Sequence, residues 1–333
     1  MGEQRRHGRP HPSVATIRYA VRTCLHDLPA EGLVLVACSG GADSLALAEA
    51  LAFEAGHTGR PSGAIVVDHG LQDDSATVAA KAAATCRRLG LDPVEVVTVE
   101  VPDTGHGLEA DARQVRHAAL TAAADRLGAS AVLLGHTLDD QAEQVLLGLV
   151  RGSGARSLSG MPARRGIFRR PLLAVTREQT RAACAAEGIA VWEDPMNTDP
   201  VFTRVRARAA VADLERDLGP GVAAALARTA AQLRTDADLL DALAADARAT
   251  LGPDGPHDVA ALLDIPPALR TRVWRTLLIE AGAPPGQLGA THTDECDRLL
   301  TNWRGQGPLH LPGGLRVRRG EGGVRIEPAG PVE

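Results

Sequence analysis

Four short apolar runs, rich in valine and leucine, constrain the fold of the first half of this chain. They lie at residues 33–37, 64–68, 94–101 and 131–134, and longer alanine-rich stretches with helical periodicity separate them. Strands that alternate with helices predict an α/β fold with a doubly wound parallel sheet. Ligands of such sheets bind beyond the carboxyl ends of the strands, so we expect the functional residues there.

The segment after the first run is typical of a phosphate-binding loop. It reads Ser39, Gly40, Gly41, Ala42, Asp43 and Ser44, and an alanine-rich helix follows. The glycines let the backbone approach an anion, and the N–H groups at the start of the helix point towards it. A Walker lysine is missing, since Lys81 is the only lysine of the chain. We therefore predict a phosphate site in which Mg2+, held near Asp43, supplies the positive charge.

Two further polar segments follow predicted strands. Asp68, His69 and Gly70 come after the second run, and Gly135 and His136 come after the fourth. The first of these segments could be an ordinary turn. Because the carboxyl ends of parallel strands meet at one edge of the sheet, the two segments are candidate neighbours of the phosphate loop.

An acidic helix follows the fourth strand. If it begins near Leu138, Asp140 and Glu143 share one face, with His136 at its start. Such a carboxylate pair can bind an ammonium group and accept a proton from it. The alternative is that Asp139 and Asp140 only cap the helix and favour its dipole. Their place directly after a strand end favours a functional role.

Arginines cluster in two later segments, although the formal net charge is -5. Residues 151–173 contain many Gly, Ser, Pro and Arg residues and no acidic ones, which predicts a mobile basic loop. A helix with Arg204, Arg206 and Arg208 follows. These clusters are either surface charge or a site for a phosphate-rich partner, and two unpaired arginine clusters in an acidic protein favour the partner. Residues 109–116 read as a solvated helix face with ion pairs.

The 333 residues suffice for more than one domain. We predict an N-terminal extension and helix (1–30), an α/β domain with the phosphate loop (31–218), a smaller helical domain (219–303) and a short β-rich tail (304–333). The five cysteines show no metal-site or disulfide spacing, and because no apolar segment has the required length we expect neither a signal peptide nor a membrane span. A soluble protein of the reducing cytoplasm is expected.

The ordered motifs resemble one family. Ser39–Ser44 matches the SGGxDS loop of N-type ATP pyrophosphatases, and the chain resembles the tRNA(Ile)-lysidine synthetases among them. The supporting motifs are Val67–Leu71, Leu108–Arg113, Gly135–Glu143, Arg151-Gly152-Ser153-Gly154, Leu158–Met161, Arg170–Leu173 and Glu193–Asp199. The resemblance implies a ligase that forms a carbon–nitrogen bond. It adenylates the wobble cytidine of isoleucine tRNA with a CAU anticodon and then replaces AMP with free L-lysine.

The resemblance also implies roles for individual residues. ATP and Mg2+ are the expected small ligands, tRNA(Ile) is the expected partner, and a homodimer remains open. The expected ATP-binding residues are Ser39, Gly40, Gly41, Ala42, Asp43, Ser44, Asp68, His69 and Gly135. The expected catalytic residues are Asp43, Arg113, His136, Asp140 and Glu143, with Asp43 as the Mg2+ ligand. The expected tRNA-binding residues are Arg151, Arg164, Arg165, Arg204, Arg206 and Arg208.

Departures from the family pattern and two rival functions remain. Val205 stands where the family often has asparagine, and it cannot form the same hydrogen bonds. Met196, Ser157 and Gln144 also depart from the usual residues. A tRNA thiolase of the same fold would need paired cysteines or a cluster. A regulatory module that only holds ATP would need neither the acidic pair nor the arginine clusters.

Overall fold

A computed structural model describes residues 9–329 except 73, 106, 153 and 254. Ser153 of the predicted motifs and the start of the N-terminal extension therefore lie outside the described residues. The chain divides into two compact units. Unit 1 contains residues 1–150 and 160–230, and unit 2 contains residues 151–159 and 231–333.

Unit 1 is a six-stranded sheet covered by helices, as the α/β prediction requires. The strand order is β3-β2-β1-β4-β6-β5, and all neighbours are parallel except the pair β5 and β6. The strands are β1 (Val34–Ala37), β2 (Ser62–Asp68), β3 (Val94–Thr98), β4 (Ala131–Leu133), β5 (Arg164–Arg165) and β6 (Phe168–Arg169). The helices are α1 (Pro12–Leu25), α2 (Ala42–Thr58), α3 (Ser75–Arg88), α4 (Leu108–Leu127), α5 (Leu138–Val150), α7 (Arg177–Ala186) and α8 (Thr203–Leu218), with a 3-10 turn at Pro195–Thr198.

Alternation along the buried strands places helices on both faces of the sheet. In β1, Val34 and Val36 pack into one core cluster with residues of α1, α2, α3 and α7. Leu35 points the other way and packs with Leu120 of α4. Because successive side chains of a strand face opposite sides, each fully buried strand contributes to both cores. This arrangement confirms the doubly wound sheet and brings the carboxyl ends of β1, β2 and β4 to one edge.

The predicted mobile loop at 151–173 is more ordered than its composition suggested. It contains a short helix, α6 (Ala155–Leu158), and the strands β5 and β6. Val132 N–H donates to the Ile167 carbonyl at 3.0 Å, and Leu134 N–H donates to the Arg169 carbonyl at 2.8 Å. Buried N–H groups of β4 require acceptors, and this segment supplies them. The composition of this segment, rich in Gly, Pro and Arg, could not indicate these strands, because the need for hydrogen-bond acceptors comes from the neighbouring strand β4.

Unit 2 is an α+β unit around one core. Its helices are the later part of α9 (Val222–Ala249), α10 (Val259–Asp264), α11 (Pro267–Glu280) and α12 (Ala290–Thr301). The strands β7 (Leu309–Leu311), β8 (Leu315–Gly320) and β9 (Gly323–Pro328) form an antiparallel sheet. Trp274 of α11 and Val317 of β8 are fully buried in the same cluster. The predicted tail therefore shares its core with the helices before it.

The compact units divide the chain at other points than the predicted domains. The predicted boundary lies at 218/219, whereas the division of the structure lies inside α9, and residues 151–159 group with unit 2. Arg156 of α6 explains this grouping, because it binds Asp238 and Asp241 of α9. Within the described ranges, no helix has the length and apolarity that a membrane crossing needs.

Candidate active site

The loop between β1 and α2 presents the first N–H groups of α2 to an anion. Gly40 has a φ of 86°, which a residue with a side chain rarely adopts, and its carbonyl accepts from Trp192 N–H at 2.9 Å. The Ser44 hydroxyl accepts from Ser39 N–H at 3.1 Å and donates to the Gly41 carbonyl at 3.0 Å. In the part of the chain that the structure describes, no side chain caps the start of α2 at Gly41. The loop is thus closed by its own hydrogen bonds, and the first N–H groups of α2 remain available.

Gly135 brings the end of β4 against this loop. A Cβ atom at Gly135 would lie 3.1 Å from both the carbonyl carbon and the oxygen of Asp43 and 3.2 Å from Ser44 N. Such contacts are tighter than side chains normally make. Glycine therefore permits the backbone of the β4 end to touch the first turn of α2, as the sequence motif suggested.

The Asp68 segment combines a structural and a candidate functional part. Asp68 is buried, and its Oδ1 accepts from Gly70 N–H at 3.0 Å, which stabilises the turn. His69 is half-buried, and its Nδ1 has no hydrogen-bond partner among the described residues. Burial lowers the pKa of His69, and the positive charge of Arg116 lowers it further. Asp68 thus supports the turn, and His69 remains the group that could meet a ligand.

The acidic face of α5 is formed as predicted, but arginines already bind it. Arg177 Nη2 lies 2.9 Å from Asp140 Oδ1 and 3.2 Å from Glu143 Oε1. Arg208 Nε lies 2.8 Å from the same Glu143 oxygen. Asp140 Oδ2 accepts from Thr137 N–H at 2.8 Å. Both carboxylates are therefore held in defined positions.

Arg177 was missed by the sequence analysis, and it joins the acidic face to the phosphate loop. Its Nε lies 3.8 Å from Asp43 Oδ2, and its backbone N–H donates to Asp139 Oδ2 at 2.8 Å. Thr176 and Gln179 form a capping box that fixes the start of α7 at Arg177. A basic residue in the first turn opposes the helix dipole, so it needs acidic partners from elsewhere. This mismatch between Arg177 and the helix dipole was the sequence signal that could have identified Arg177.

The charges of this cluster do not balance. Asp43, Asp139, Asp140 and Glu143 face two guanidinium groups, which leaves two negative charges in excess among these six side chains. Burial raises the pKa of Asp43, and the negative charges of Asp140 and Asp139 raise it further, against the hydrogen bond that the Thr180 hydroxyl donates. Burial also acts to raise the pKa of Asp140, but Arg177 and the Thr137 N–H outweigh it and lower that pKa. The cluster therefore favours a bound cation.

The donor set fits Mg2+ in part. Within the described ranges, no group of three His, Cys, Asp or Glu side chains is arranged to hold a metal ion. Mg2+ at nucleotide sites normally uses one or two carboxylates, and phosphate and water supply the remaining ligands. Asp43, a carboxylate at the phosphate loop with Asp139 and Asp140 as acidic neighbours, meets that smaller requirement. Its role as a Mg2+ ligand stays a prediction.

His136 and Arg113 lie close enough to influence each other. Burial lowers the pKa of His136 to about 3, and the positive charges of Arg170, Arg113 and Arg116 add to this effect. The Nδ1 atom of His136 has no hydrogen-bond partner among the residues described. His136 is therefore neutral at physiological pH and cannot act there as a cation.

The predicted tRNA-binding arginines differ in their present partners. Arg204 Nε lies 2.8 Å from Glu109 Oε1, and Arg206 donates to the carbonyls of Pro200 and Val201. Arg164 is bound by Asp27.

Two of these arginines are both exposed and without a partner among the described residues. Arg165 of unit 1 and Arg151 of unit 2 are exposed, and the structure gives neither guanidinium a partner among the described residues. The sequence could not show that the other arginines are already engaged.

Comparison with known proteins identifies both units. Residues 15–215 match the PP-loop domain family, and residues 258–324 match the TilS substrate binding domain. The chain is 51% identical to tRNA(Ile)-lysidine synthase of Streptomyces coelicolor, and the alignment covers 95% of this chain and 99% of that protein. It is 54% identical to the protein of the same name from Thermobifida fusca, with 95% and 98% covered.

A solved structure supports the fold alone. U34-tRNA thiolase NcsA from Methanococcus maripaludis with its [4Fe-4S] cluster superposes with a TM-score of 0.55 at 18% identity. The superposition covers 66% of this chain and 79% of the thiolase chain. The phosphate loop, the acidic face of α5 and the near full-length relatives agree: the chain belongs to the tRNA(Ile)-lysidine synthase family.

Proposed function

We propose that this protein ligates L-lysine to C2 of the wobble cytidine of isoleucine tRNA with a CAU anticodon, through an adenylated cytidine. ATP is consumed, and AMP and pyrophosphate are released. One observation carries the proposal: Arg177 links Asp43 of the phosphate loop to the acidic pair Asp140 and Glu143. This link supports a site for a nucleotide phosphate beside a site for a cation.

The first step is attack of the cytosine O2 on the α-phosphate of ATP. This step needs positioning and neutralisation of charge more than a covalent contribution from the protein. The loop N–H groups and the start of α2 would hold the phosphates, and Arg113 would offset charge beside them. A Mg2+ ion near Asp43 would supply further positive charge at the phosphates when bound.

The second step is attack of a lysine amine on C2, with AMP as the leaving group. The amine must be neutral to attack, so its ammonium form has to lose a proton. Asp140 and Glu143 already bind arginines, which changes the role we expect for them. We propose that the excess negative charge of the whole cluster attracts the ammonium group, and that Glu143 orients it and accepts the proton.

The arginines outside the acidic cluster would bind the tRNA backbone. Arg165 and Arg151 are exposed, and Arg204 would gain a phosphate partner besides Glu109. Phosphate contacts of this kind position a nucleic acid without reading its sequence. We expect the reaction in the cytoplasm, where the five cysteines, which the structure shows as free, would stay reduced.

The thiolase alternative is disfavoured by the thiols themselves. Cys38, Cys86 and Cys184 are at most 3% exposed and pack in the core of unit 1. A sulfur-transfer thiol must reach its substrate, and these three do not reach solvent. A module that only holds ATP is disfavoured by the acidic cluster, because retention of ATP alone does not require it.

The test is whether AMP and lysine-bearing tRNA form only when ATP, L-lysine and the CAU tRNA are all present. Glu143→Gln should raise the lysine concentration needed for half-maximal rate more than the ATP concentration. Glu193→Gln is the matched control, since Glu193 also binds an arginine, Arg181, but is exposed. Product formation without lysine would refute the proposed reaction, and an unchanged lysine requirement in Glu143→Gln would refute the role of Glu143.

A further inference from the structure

Helix α4 carries two guanidinium groups for which the described residues offer no hydrogen-bond or ion-pair partner. Arg113 and Arg116 are three residues apart and therefore share one helix face. Both are half-buried, and neither has a hydrogen bond or an ion pair with any residue of the described ranges. Arg126 on the same helix differs, because it binds Glu95 through two hydrogen bonds. The expected solvated face with ion pairs is thus absent at Arg113 and Arg116.

The surroundings of this arginine pair are electrostatically unfavourable. Burial lowers the pKa of Arg116 to about 10, and the charges of Arg113 and Arg204 lower it further. Burial likewise lowers the pKa of Arg113, with Arg204 as the next cause. Glu109 is the carboxylate that acts on both, and it is bound by Arg204 at 2.8 Å. Both arginines remain charged at neutral pH, so positive charge exceeds negative charge in this region.

The arginine pair lies on α4, which packs against β2 and β4, the two strands whose ends flank the phosphate loop. The charge of Arg116 lowers the pKa of His69, which follows β2, and both arginines lower the pKa of His136, which follows β4. Strand β1, which leads into the loop, runs between β2 and β4. The buried Nδ1 atoms of both histidines also lack partners among the described residues. The two arginines and the two histidines thus place unsatisfied polar groups near the phosphate loop.

We propose that Arg116 binds a substrate phosphate together with Arg113, and that this phosphate belongs to the nucleotide. The proposal rests on the proposed function, since it takes ATP and tRNA as the substrates. Guanidinium groups bind phosphate through paired, charge-assisted hydrogen bonds. An anion here would compensate both arginines and give the two histidines hydrogen-bond partners. The position beside His69 and His136 favours the nucleotide over the tRNA backbone as its source.

The proposal predicts opposite effects on stability and binding. Arg116→Gln removes an uncompensated charge, so the melting temperature of the free protein should stay unchanged or rise. Its affinity for ATP with Mg2+, measured by calorimetry without tRNA, should fall about 10- to 100-fold, the loss expected for a charge-assisted hydrogen bond. A purely structural arginine would give a lower melting temperature instead. Arg116→Lys should retain part of the affinity.

Arg126→Gln is the matched control on the same helix. It should bind ATP and tRNA as the unsubstituted protein does. Affinity of Arg116→Gln for tRNA, measured without ATP across a salt series, should change less than about threefold. Unchanged ATP affinity in Arg116→Gln would overturn the proposal.

A second result would overturn the assignment to the nucleotide. It is a weaker tRNA affinity with a salt slope shallower by about one, at unchanged ATP affinity, because one backbone phosphate contact contributes about that much. Lysine ligation by the Arg126→Gln protein is recorded in parallel. If neither this variant nor the unsubstituted protein ligated lysine, the proposed function would be refuted. The ATP-binding comparison would still decide the role of Arg116.

Discussion

Replacing Arg177 by methionine should destabilise unit 1 strongly, because the change uncovers three carboxylates at once. The Arg177 side chain is 19% exposed, and its partners Asp140 and Glu143 are 15% and 4% exposed. Removing one partner of a buried ion pair costs about 3–5 kcal/mol. Asp140 keeps its bond from Thr137 and Glu143 keeps Arg208, so we expect the lower end, about 3 kcal/mol. This corresponds to a melting temperature lower by about 6–12 °C for a unit of this size.

Scanning calorimetry of the full chain measures this shift, and Arg181→Met is the matched control. Arg181 lies one turn further along α7 and binds Glu193, but the two side chains are 57% and 67% exposed. An exposed pair of this kind contributes about 1 kcal/mol or less. Mg2+ should restore more stability to Arg177→Met than to the unsubstituted protein, because the uncovered carboxylates attract it. A melting temperature of Arg177→Met that equals that of Arg181→Met would refute the reasoning.

Three further changes test other parts of the site. Gly135→Ala should displace the loop at Asp43 and raise the ATP concentration needed for half-maximal rate at least about tenfold, since about 1.4 kcal/mol of lost binding suffices for that factor. An unchanged ATP requirement in steady-state kinetics would contradict the close contact between Gly135 and the loop. Asp43→Ala should abolish AMP formation while tRNA binding by filter assay persists, and normal turnover would exclude the Mg2+ assignment. Burial lowers the pKa of His117 to about 4 in the folded protein, whereas the unfolded value is about 6.5. The neutral form of His117 therefore stabilises the fold above pH 6.5, and this contribution is lost as the pH falls towards 4. His117→Gln should therefore reduce the loss of unfolding free energy between pH 7 and pH 5 by about 2 kcal/mol in urea titrations, and an identical loss would contradict that pKa.

The order of elements in unit 1 could be predicted from the sequence because its signals are local. The valine-rich runs gave β1, β2, β3 and β4, and the sequence also predicted the start of α5 at Leu138. Strand β6 could not be predicted in this way. Its two residues form a strand because β4 needs acceptors, and that need is visible only once β4 is placed.

The candidate site shows the same division between local and distant causes. The loop at Ser39–Ser44 and the face shared by Asp140 and Glu143 follow from spacing along the chain. The partners of these residues do not, since Arg177 lies 34 residues from Glu143 in sequence. A pattern reports which side chains share a helix face, but it does not report which distant charge the fold brings to that face.

The phosphate loop has a consequence for the choice of nucleotide. It offers main-chain N–H groups, and the one carboxylate it contains, that of Asp43, points to Thr180 and Arg177. Main-chain N–H groups of this kind select an anion by its size and charge and do not distinguish one nucleobase from another. Discrimination of ATP from GTP must therefore be encoded outside Ser39–Ser44. Exchanging the preferred base by redesign would leave this loop untouched and would change residues that contact the purine ring.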